Sequence, residues 1–415
     1  METKKNEKVL LLALLFLFFA CIFRFLPGFV PDLNSFAGWA IAIKNDGLRY
    51  VYTHSDTNYL PFYQYVLYVY SKLMGSEWNI TYYINELKLF TLAFEMLGLW
   101  YIYKWTDKKT SFLTLIFVSL LNLGFSYNTI LWGQVDGIFS AFIFIALYYA
   151  YKQDMFWSGV FMVLALNAKL QAIVFVPLWL LLCLNTLIDR KSIKTILFAI
   201  AGTVAMQLLI LLPFLTAKGQ VLALWNVITG ADKVYSYISM YASGIWFLLL
   251  SNDTLSNSTD NSIYILGLSY KQTGLLMFFI SSLLAMLPVM RDVYRTYKLK
   301  YNALQNRERI WLTAAIVCYC FFFFNTQMHE RYCHPVVVFL TAYAFYSRRF
   351  ALYILFSITY FLNLELVLSN HEFPHPHYVW FNIITISWLS TIVLIWMFIR
   401  LYTLKNKTDE NAGKY

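Results

Sequence analysis

The sequence predicts an all-α protein, a polytopic bundle of about twelve transmembrane helices. Of its 415 residues, 60% are hydrophobic and only 13% are charged, whereas soluble domains carry roughly 25% charged residues. Apolar runs such as LLLALLFLFFACIF and IWLTAAIVCYCFFFFN approach the roughly 17 to 25 residues that span a bilayer as a helix. The alternating pattern of a transmembrane barrel is absent from the sequence.

Apolar runs separated by polar breaks predict the individual helices. The first run also resembles a signal peptide, because KKNEK precedes it and FFAC, ending at Cys21, resembles a lipoprotein cleavage site. The run continues to Arg24 without small residues where cleavage needs them, so we expect the N-terminus to stay as an anchor. The predicted spans are 8–26, 86–103, 110–126, 136–150, 156–168, 171–186, 195–216, 272–290, 310–325, 335–346, 350–368 and 378–399.

Basic residues predict the orientation of this bundle. With the N-terminus inside, 22 of the 32 Lys and Arg residues fall in cytoplasmic segments, as the positive-inside rule prefers. We expect one transmembrane domain over 1–400, a cytoplasmic tail over 401–415, and both termini inside. Two long loops, 27–85 and 217–271, then lie outside with most of the unusual polar groups. Chemistry in this cell-membrane protein is therefore expected on the extracytoplasmic face.

The first outer loop contains two apolar, aromatic-rich stretches, 34–45 and 60–74, which suit helices lying in the membrane interface. The second stretch also fits a short crossing, but a crossing there would invert every later loop and spoil the charge balance. The net charge of +10 comes from basic connections of the kind that orient membrane proteins, so we predict no nucleic-acid partner. The five cysteines show no metal-ligand spacing and are predicted core residues.

Acidic and amide side chains in the outer segments have both a structural and a functional interpretation. Asp32, in PDLNSFAGWA, suits a helix N-cap. Asp56 and Asn58 suit a turn before an aromatic helix, or a binding role. Asp136 lies between two glycines at the start of an apolar helix, where the helix dipole favours a carboxylate. A carboxylate at that depth is costly unless it is paired or faces water, so Asp136 is also a functional candidate.

Two segments that are predicted to lie outside carry basic side chains, although the positive-inside rule places most basic residues inside. Lys169 lies between two apolar runs in LNAKLQAIVFVP, where its ammonium either reaches the interface or holds an anion. NTQMHERYCHP concentrates four titratable side chains, His329, Glu330, Arg331 and His334. Pairing of Glu330 with Arg331 would be awkward on a helix, because adjacent residues face different ways, so a functional site is favoured. HEFPHPHY, residues 371–378, either binds a metal or forms an exposed loop.

Five segments of the chain run in the order found in the GT-C superfamily of membrane glycosyltransferases, which the sequence resembles: PDLNSFAGWA, NYLPFYQYVLY, LWGQVDGIFSAF, NAKLQAIVFVPLWLL and QMHERYCHP. The resemblance covers the chain from its first loop to about residue 346. It is closest to the enzymes that use polyprenyl-phosphate sugars, related to the GPI mannosyltransferases and the glucosyltransferases of N-glycan assembly. Two motifs depart from the pattern. Relatives carry an acidic residue before Tyr-Pro-Pro where this chain has Asn58, and the glucosyltransferases carry His where it has Gln134 or Val135.

The resemblance implies an inverting glycosyltransferase that moves a hexose, mannose or glucose, from a polyprenyl-phosphate carrier to a lipid-linked or cell-surface glycan. By resemblance Asp32 is the catalytic base, because displacement at the anomeric carbon needs a carboxylate to take the acceptor's proton. The leaving phosphate needs positive groups, for which His329 and Arg331 are candidates, with Lys169 in reserve. The other predicted substrate-binding residues are Asp56, Asn58, Tyr59, Asp136 and Glu330. The expected partners are the donor, the acceptor and membrane lipids.

A transporter or lipid flippase is the alternative from another class, because such proteins also use about a dozen helices. Transporters place coupling charges near the midplane, often in two related halves. In this sequence no halves are visible, and the polar groups lie at helix ends on one face. A metal-dependent relative such as an oligosaccharyltransferase is a third possibility. The single acidic residue of the first motif favours a reaction without metal, and no cofactor is expected beyond the donor substrate.

Overall fold

The computed structural model describes residues 26–230, 236–369 and 381–404, together with scattered positions between 10 and 22. These residues are mostly helical, and the strands among them form one short antiparallel hairpin, β1 (Ile263–Ile265) with β2 (Leu268–Ser269). The prediction of an all-α protein is confirmed. Three predicted features lie wholly or mostly outside the described residues: the first span, the C-terminal tail and the HEFPHPHY segment.

Helices follow one another along the whole described chain. Before the hairpin they are α1 (Val30–Asp46), α2 (Val51–His54), α3 (Pro61–Met74), α4 (Glu77–Tyr82), α5 (Lys88–Trp105), α6 (Phe112–Leu120), α7 (Leu123–Ser126), α8 (Asp136–Tyr151), α9 (Met155–Ala168), α10 (Val176–Arg190), α11 (Ile193–Leu215), α12 (Gln220–Gly230), α13 (Trp246–Leu249) and α14 (Asn252–Asn257). After it they are α15 (Tyr270–Leu299), α16 (Arg307–Phe324), α17 (His334–Ser347), α18 (Ala351–Leu368) and α19 (Ile383–Tyr402). Short 3₁₀ segments cover Leu48–Tyr50, Ile84–Leu87 and Leu170–Phe175, and a π-helical turn covers Tyr127–Trp132. Both helices expected in the first outer loop are present, as α1 and α3.

In the described part of the chain, five helices are long and apolar enough to cross a membrane: Leu170–Arg190, α11, α15, α18 and α19. The number rises to six if α6 and the stretch Leu123–Trp132, bent by 74° against each other, form one span. These apolar helices indicate a membrane-embedded protein. The predicted count of about twelve spans is not confirmed.

Short helices at the centre of the bundle account for part of this difference. α8 has 16 residues, and α9 and α17 have 14 each. At 1.5 Å per residue such helices are about 21 to 24 Å long, which is less than the roughly 30 Å of a hydrocarbon core. α8 and α17 are buried on nearly every face, whereas α11 exposes many leucine and isoleucine side chains. The short helices are therefore enclosed by protein, and the long ones present apolar surface.

The crossing of α9 and α11 depends on two glycines. A Cβ added at Gly202 would lie 2.5 Å from the carbonyl oxygen of Phe156. One added at Gly159 would lie 2.8 Å from the carbonyl oxygen of Ala199. The two backbones thus touch directly, as small residues allow in membrane helix pairs.

Replacing Gly202 by alanine is expected to push α9 and α11 apart and lower the melting temperature in detergent, with an overpacking cost of about 1–3 kcal/mol. Gly38→Ala in α1 is the matched control, because a Cβ at Gly38 meets nothing within 4 Å. Alanine is preferred over glycine inside a helix by about 1 kcal/mol, so this control should melt no lower than the wild type. Equal melting temperatures for Gly202→Ala and the wild type would contradict the close crossing.

Candidate active site

A cavity of about 760 Å³ lies among α1, α12, α15 and the loop between α16 and α17. One part of its wall is apolar and includes Ile173, Val227, Leu275 and Phe321. Six of the nine predicted site residues also line it: Asp32, Asn58, Tyr59, Lys169, His329 and Arg331. The fold therefore brings together polar groups that are widely separated in the sequence.

Asp32 lies inside the first turn of α1. The N-cap of this helix is Phe29, whose side chain makes no capping bond. The interpretation of Asp32 as an N-cap is wrong, because Pro31 is accommodated within the first turn and the helix begins earlier. The Oδ2 atom of Asp32 accepts hydrogen bonds from Trp132 Nε1 at 3.2 Å and from Gln134 Nε2. No other described group bonds to this carboxylate, so Oδ1 is left available.

The connection between α7 and α8 brings Trp132 and Gln134 to Asp32. The π-helical turn ends at Gly133, which has a φ of 86°. Glycine adopts this left-handed conformation without the steric cost that other residues meet. The chain therefore reverses after Trp132 and presents two neutral donors to one carboxylate oxygen.

Lys88 fixes the start of α1 against this turn. Its ammonium, which is buried, donates to the carbonyl oxygen of Leu26 at 3.0 Å and to that of Ile130 at 2.7 Å. The backbone N–H of Phe29 donates to the carbonyl oxygen of Trp132 at 2.8 Å. Buried backbone carbonyls and ammonium groups need partners in an apolar bundle. These bonds therefore hold the start of α1 and the π-helical turn in fixed positions relative to each other.

Asp56 acts on the cavity through Trp39. The Nε1 atom of Trp39 donates to Asp56 Oδ1 at 2.8 Å, and the indole packs against Tyr59 with ring centres 5.3 Å apart. Asp56 itself is exposed and does not line the cavity. Burial raises the pKa of Tyr59, so its hydroxyl stays protonated and can donate. Asn58 is exposed and lines the cavity directly.

Asp136 and Lys169 form an ion pair that joins two segments. Asp136 is fully buried at the start of α8, and Lys169 lies in extended backbone at the end of α9. The ammonium also lies 4.7 Å from the centre of the Tyr332 ring, a distance at which a cation is attracted to an aromatic face. Burial lowers the pKa of Lys169, and the Asp136 carboxylate opposes this only in part. The anion that Lys169 holds in this structure is therefore the carboxylate of Asp136.

Glu330 lies between two cationic or basic neighbours in the loop that joins α16 to α17. Arg331 Nη1 lies 2.8 Å from its Oε1, and His329 Nδ1 lies 3.7 Å from its Oε2. Residues 330–333 form a turn, so the expectation that adjacent side chains diverge, which applies to a helix, is wrong for this pair. Burial raises the pKa of Glu330, but the hydrogen bond from His329 and the Arg331 charge outweigh it, and the net pKa is lowered.

Arg331 presents its guanidinium to the cavity beside Trp132. The guanidinium carbon lies 5.5 Å from the centre of the Trp132 ring system, and the buried Nε has no hydrogen-bond partner among the described residues. Burial lowers the pKa of Arg331, but Glu330 opposes this strongly and the net pKa is raised. Trp132 thus contacts Asp32 through its N–H and Arg331 through its ring. The same indole therefore lies against a carboxylate and a guanidinium.

The three predicted residues that do not line the cavity each hold a side chain that does. The pairs are Asp56 with Trp39, Asp136 with Lys169, and Glu330 with Arg331. Sequence reasoning named Gln134 only as a departure from the family pattern and missed its bond to Asp32. It also missed Glu95, a buried carboxylate within α5. A carboxylate in the middle of a predicted span is costly in a membrane, and this signal was available.

In the part of the chain that the structure describes, no group of three or more His, Cys, Asp or Glu side chains could hold a metal ion. The histidines of HEFPHPHY, for which a metal site was one interpretation, lie outside those residues.

Part of the sequence matches a known protein family. Residues 78–257 match the family model of glycosyltransferase family 87, a GT-C-type family of membrane glycosyltransferases. This match covers less than half of the chain and contains Asp136 and Lys169, but neither Asp32 nor Arg331. No curated protein matches the chain. The match indicates a glycosyltransferase of the GT-C superfamily and gives no support to a transporter or flippase.

Removing one member of the Asp136–Lys169 pair is expected to destabilise the protein. Asp136→Asn leaves the ammonium largely buried without its partner, which costs about 3–5 kcal/mol for a fully buried pair. The cost is smaller here because the Lys169 side chain is 16% exposed toward the cavity. Melting temperatures in detergent of Asp136→Asn, Lys169→Met and the double variant measure this cost. We expect the double variant to recover part of the loss, and strictly additive losses would contradict a direct pair.

Proposed function

We propose that this protein is an inverting glycosyltransferase that uses a polyprenyl-phosphate hexose as its donor. The hexose is mannose or glucose, and the acceptor is a lipid-linked or cell-surface glycan on the extracytoplasmic face of the cell membrane. The observation that carries this proposal is the placement of Asp32, Lys169 and Arg331 in the wall of one cavity. A reaction of this kind needs a proton acceptor on one side of the sugar and positive charge on the other.

The chemistry follows from these two sets of groups. The oxygen of an acceptor hydroxyl attacks the anomeric carbon of the hexose. As this bond forms, the hydroxyl proton passes to Oδ1 of Asp32. The bond between that carbon and the phosphate oxygen breaks, and polyprenyl phosphate leaves as an anion. Arg331 and Lys169 stabilise the charge that develops on the leaving oxygen. Because the nucleophile enters opposite the leaving group, the configuration of the anomeric carbon inverts.

Arg331 suits the leaving phosphate particularly well. Arginine donates in a planar fork that matches phosphate oxygens, and its unpaired Nε–H can bind an oxygen without breaking the bond to Glu330. Positive side chains supply the charge stabilisation at the leaving group, so the proposal includes no metal or other cofactor. Asn58, Tyr59 and Trp39 lie along the same cavity, where hydroxyl, amide and indole groups can contact the sugar.

The apolar wall supports a donor with a lipid chain. Ile173 and Leu275 line the cavity and are 56% and 38% exposed. Both belong to helices long and apolar enough to cross a membrane, Leu170–Arg190 and α15. An opening bordered by such helices lets the phosphate reach the cations while the prenyl chain stays in contact with apolar surface.

The base role predicts a large loss of activity in Asp32→Asn, because an amide cannot take the proton. General-base catalysis contributes about 10²- to 10⁴-fold, so release of polyprenyl phosphate from a polyprenyl-phosphate mannose or glucose donor should fall by that factor. Asp46→Asn is the matched control, since Asp46 ends the same helix and pairs with His54 at an exposed position. Full turnover by Asp32→Asn would show that the base assignment is wrong.

The role of Arg331 predicts weaker binding of the product. Arg331→Gln should raise the dissociation constant for polyprenyl phosphate by about tenfold or more, because charged hydrogen bonds contribute about 1.5–3 kcal/mol. Arg307→Gln is a suitable control: Arg307 also lies over a tryptophan, with its guanidinium carbon 5.2 Å from the Trp105 ring centre, and pairs with Asp107. Binding is measured by titrating undecaprenyl phosphate into protein in nanodiscs, and equal losses in both variants would argue against a specific phosphate contact.

A further inference from the structure

We propose that Glu95 is a positioning residue, which holds the Arg331 loop and the start of the Asp136 helix in place from behind the cavity. The inference rests on the proposed function, because it assigns Glu95 to the phosphate-binding side of that site. Glu95 does not line the cavity, so it acts through other residues.

Glu95 contacts three separate segments from the middle of α5, where it is 4% exposed. Its Oε1 accepts a hydrogen bond from Thr129 Oγ1 at 2.6 Å and lies 3.4 Å from His334 Nε2. It also packs closely against α8, because a Cβ added at Gly137 would lie 2.5 Å from the Cγ and the Oε1 of Glu95. One carboxyl group therefore meets the π-helical turn, the first residues of α8 and the first residue of α17.

A chain of polar contacts leads from Glu95 to the backbone of Arg331. His334 Nδ1 lies 3.3 Å from the hydroxyl of Tyr360, and this hydroxyl donates to the carbonyl oxygen of Arg331 at 3.4 Å. The backbone N–H of His334 donates to the same carbonyl at 3.0 Å. Because the Tyr360 proton is directed at the carbonyl, Nδ1 of His334 is the donor to the Tyr360 oxygen, and Nε2 faces Glu95.

Through Thr129 and Gly137, Glu95 also contacts the segments that carry Trp132 and Asp136. Thr129 belongs to the turn that ends with Trp132, the ring beside the Arg331 guanidinium. Gly137 follows Asp136, which holds Lys169. Loss of Glu95 would therefore loosen the supports of both cations at once, although it touches neither.

A purely structural role is the alternative, since a buried histidine needs a partner whatever the protein does. The two roles differ in what they change. A structural residue affects the yield and the melting temperature of folded protein, whereas a positioning residue also changes how the remaining folded protein binds phosphate.

The first experiment titrates undecaprenyl phosphate into purified variants in nanodiscs. Glu95→Ala and Tyr360→Phe should each raise the dissociation constant by about tenfold, within the range of coupling between contacting residues. Their matched controls are Asp292→Ala, which removes a buried carboxylate at the end of α15 away from the cavity, and Tyr353→Phe, which alters a buried tyrosine two turns earlier in α18 that faces Asn122. Glu95→Gln should retain binding, because an amide nitrogen in the place of Oε1 can donate to both Thr129 Oγ1 and His334 Nε2. If Glu95→Ala does not fold, Tyr360→Phe decides.

The second comparison tests whether Glu95 acts through Arg331. In an Arg331→Gln background, adding Tyr360→Phe should cause no further loss of binding. Adding Glu95→Ala there should cause a smaller loss than in the wild type, because only its effect on Lys169 remains. A full additional loss in that background would overturn the proposal, as would unchanged binding in both single variants.

Hydrogen exchange of residues 325–334 tests the positioning role of Glu95 independently of the proposed function. We expect faster exchange there in Glu95→Ala and Tyr360→Phe than in Asp292→Ala and Tyr353→Phe. If wild-type protein does not bind undecaprenyl phosphate, the proposed function is wrong, and the exchange rates still decide whether Glu95 holds the loop. Unchanged exchange in this segment would overturn the positioning role.

Discussion

The ion pair between Asp136 and Lys169 is the contact on which the arrangement of the cavity depends. Asp136 is fully buried at the start of a helix that is itself enclosed by other helices. A carboxylate without a partner at such a place would cost several kcal/mol, so the end of α9 has to meet the start of α8. This requirement fixes the position of one cation in the cavity wall. Glu330 imposes a similar requirement on the loop before α17, where it holds Arg331 and His329.

Asp32 differs from the other carboxylates of this site in the kind of partner it has. Asp136 and Glu330 are paired with cations, whereas Asp32 accepts from the neutral N–H groups of Trp132 and Gln134. Neutral donors orient a carboxylate without cancelling its charge, which leaves it able to accept a proton. The carboxylates of Asp136 and Glu330 instead form ion pairs that hold Lys169 and Arg331 in place. The cavity therefore separates orientation of the proposed base from support of the positive groups.

Much of the fold could be predicted from the sequence, because hydropathy reports which segments leave water. The helices α1 and α3, and the apolar helices from α5 onward except α12 and α13, lie close to the predicted stretches. The number of full spans could not be read in the same way, since a short helix such as α17 is apolar because protein encloses it. The predicted orientation also places Asp32, Lys169 and Arg331 on the same face, and all three line one cavity in the structure.

The contacts within the site were not predictable, because they depend on local backbone conformation. Gln134 reaches Asp32 only because the chain reverses at Gly133 after a π-helical turn. Glu330 pairs with its neighbour Arg331 only because a turn replaces the helix in which the two would diverge. Neither hydropathy nor the spacing of motifs encodes these geometries. The division into residues that line the cavity and residues that hold them appears only in three dimensions.

For the lipid-linked donor that we propose, the position of Ile173 and Leu275 at the border of the cavity has a consequence for how donor binding is measured. A molecule that arrives between these two apolar segments arrives by diffusion within the bilayer leaflet and not from solution. The quantity that saturates the protein is then the mole fraction of donor among the surrounding lipids. Adding more inert lipid at constant total donor lowers the occupancy of the cavity, although the bulk donor concentration is unchanged.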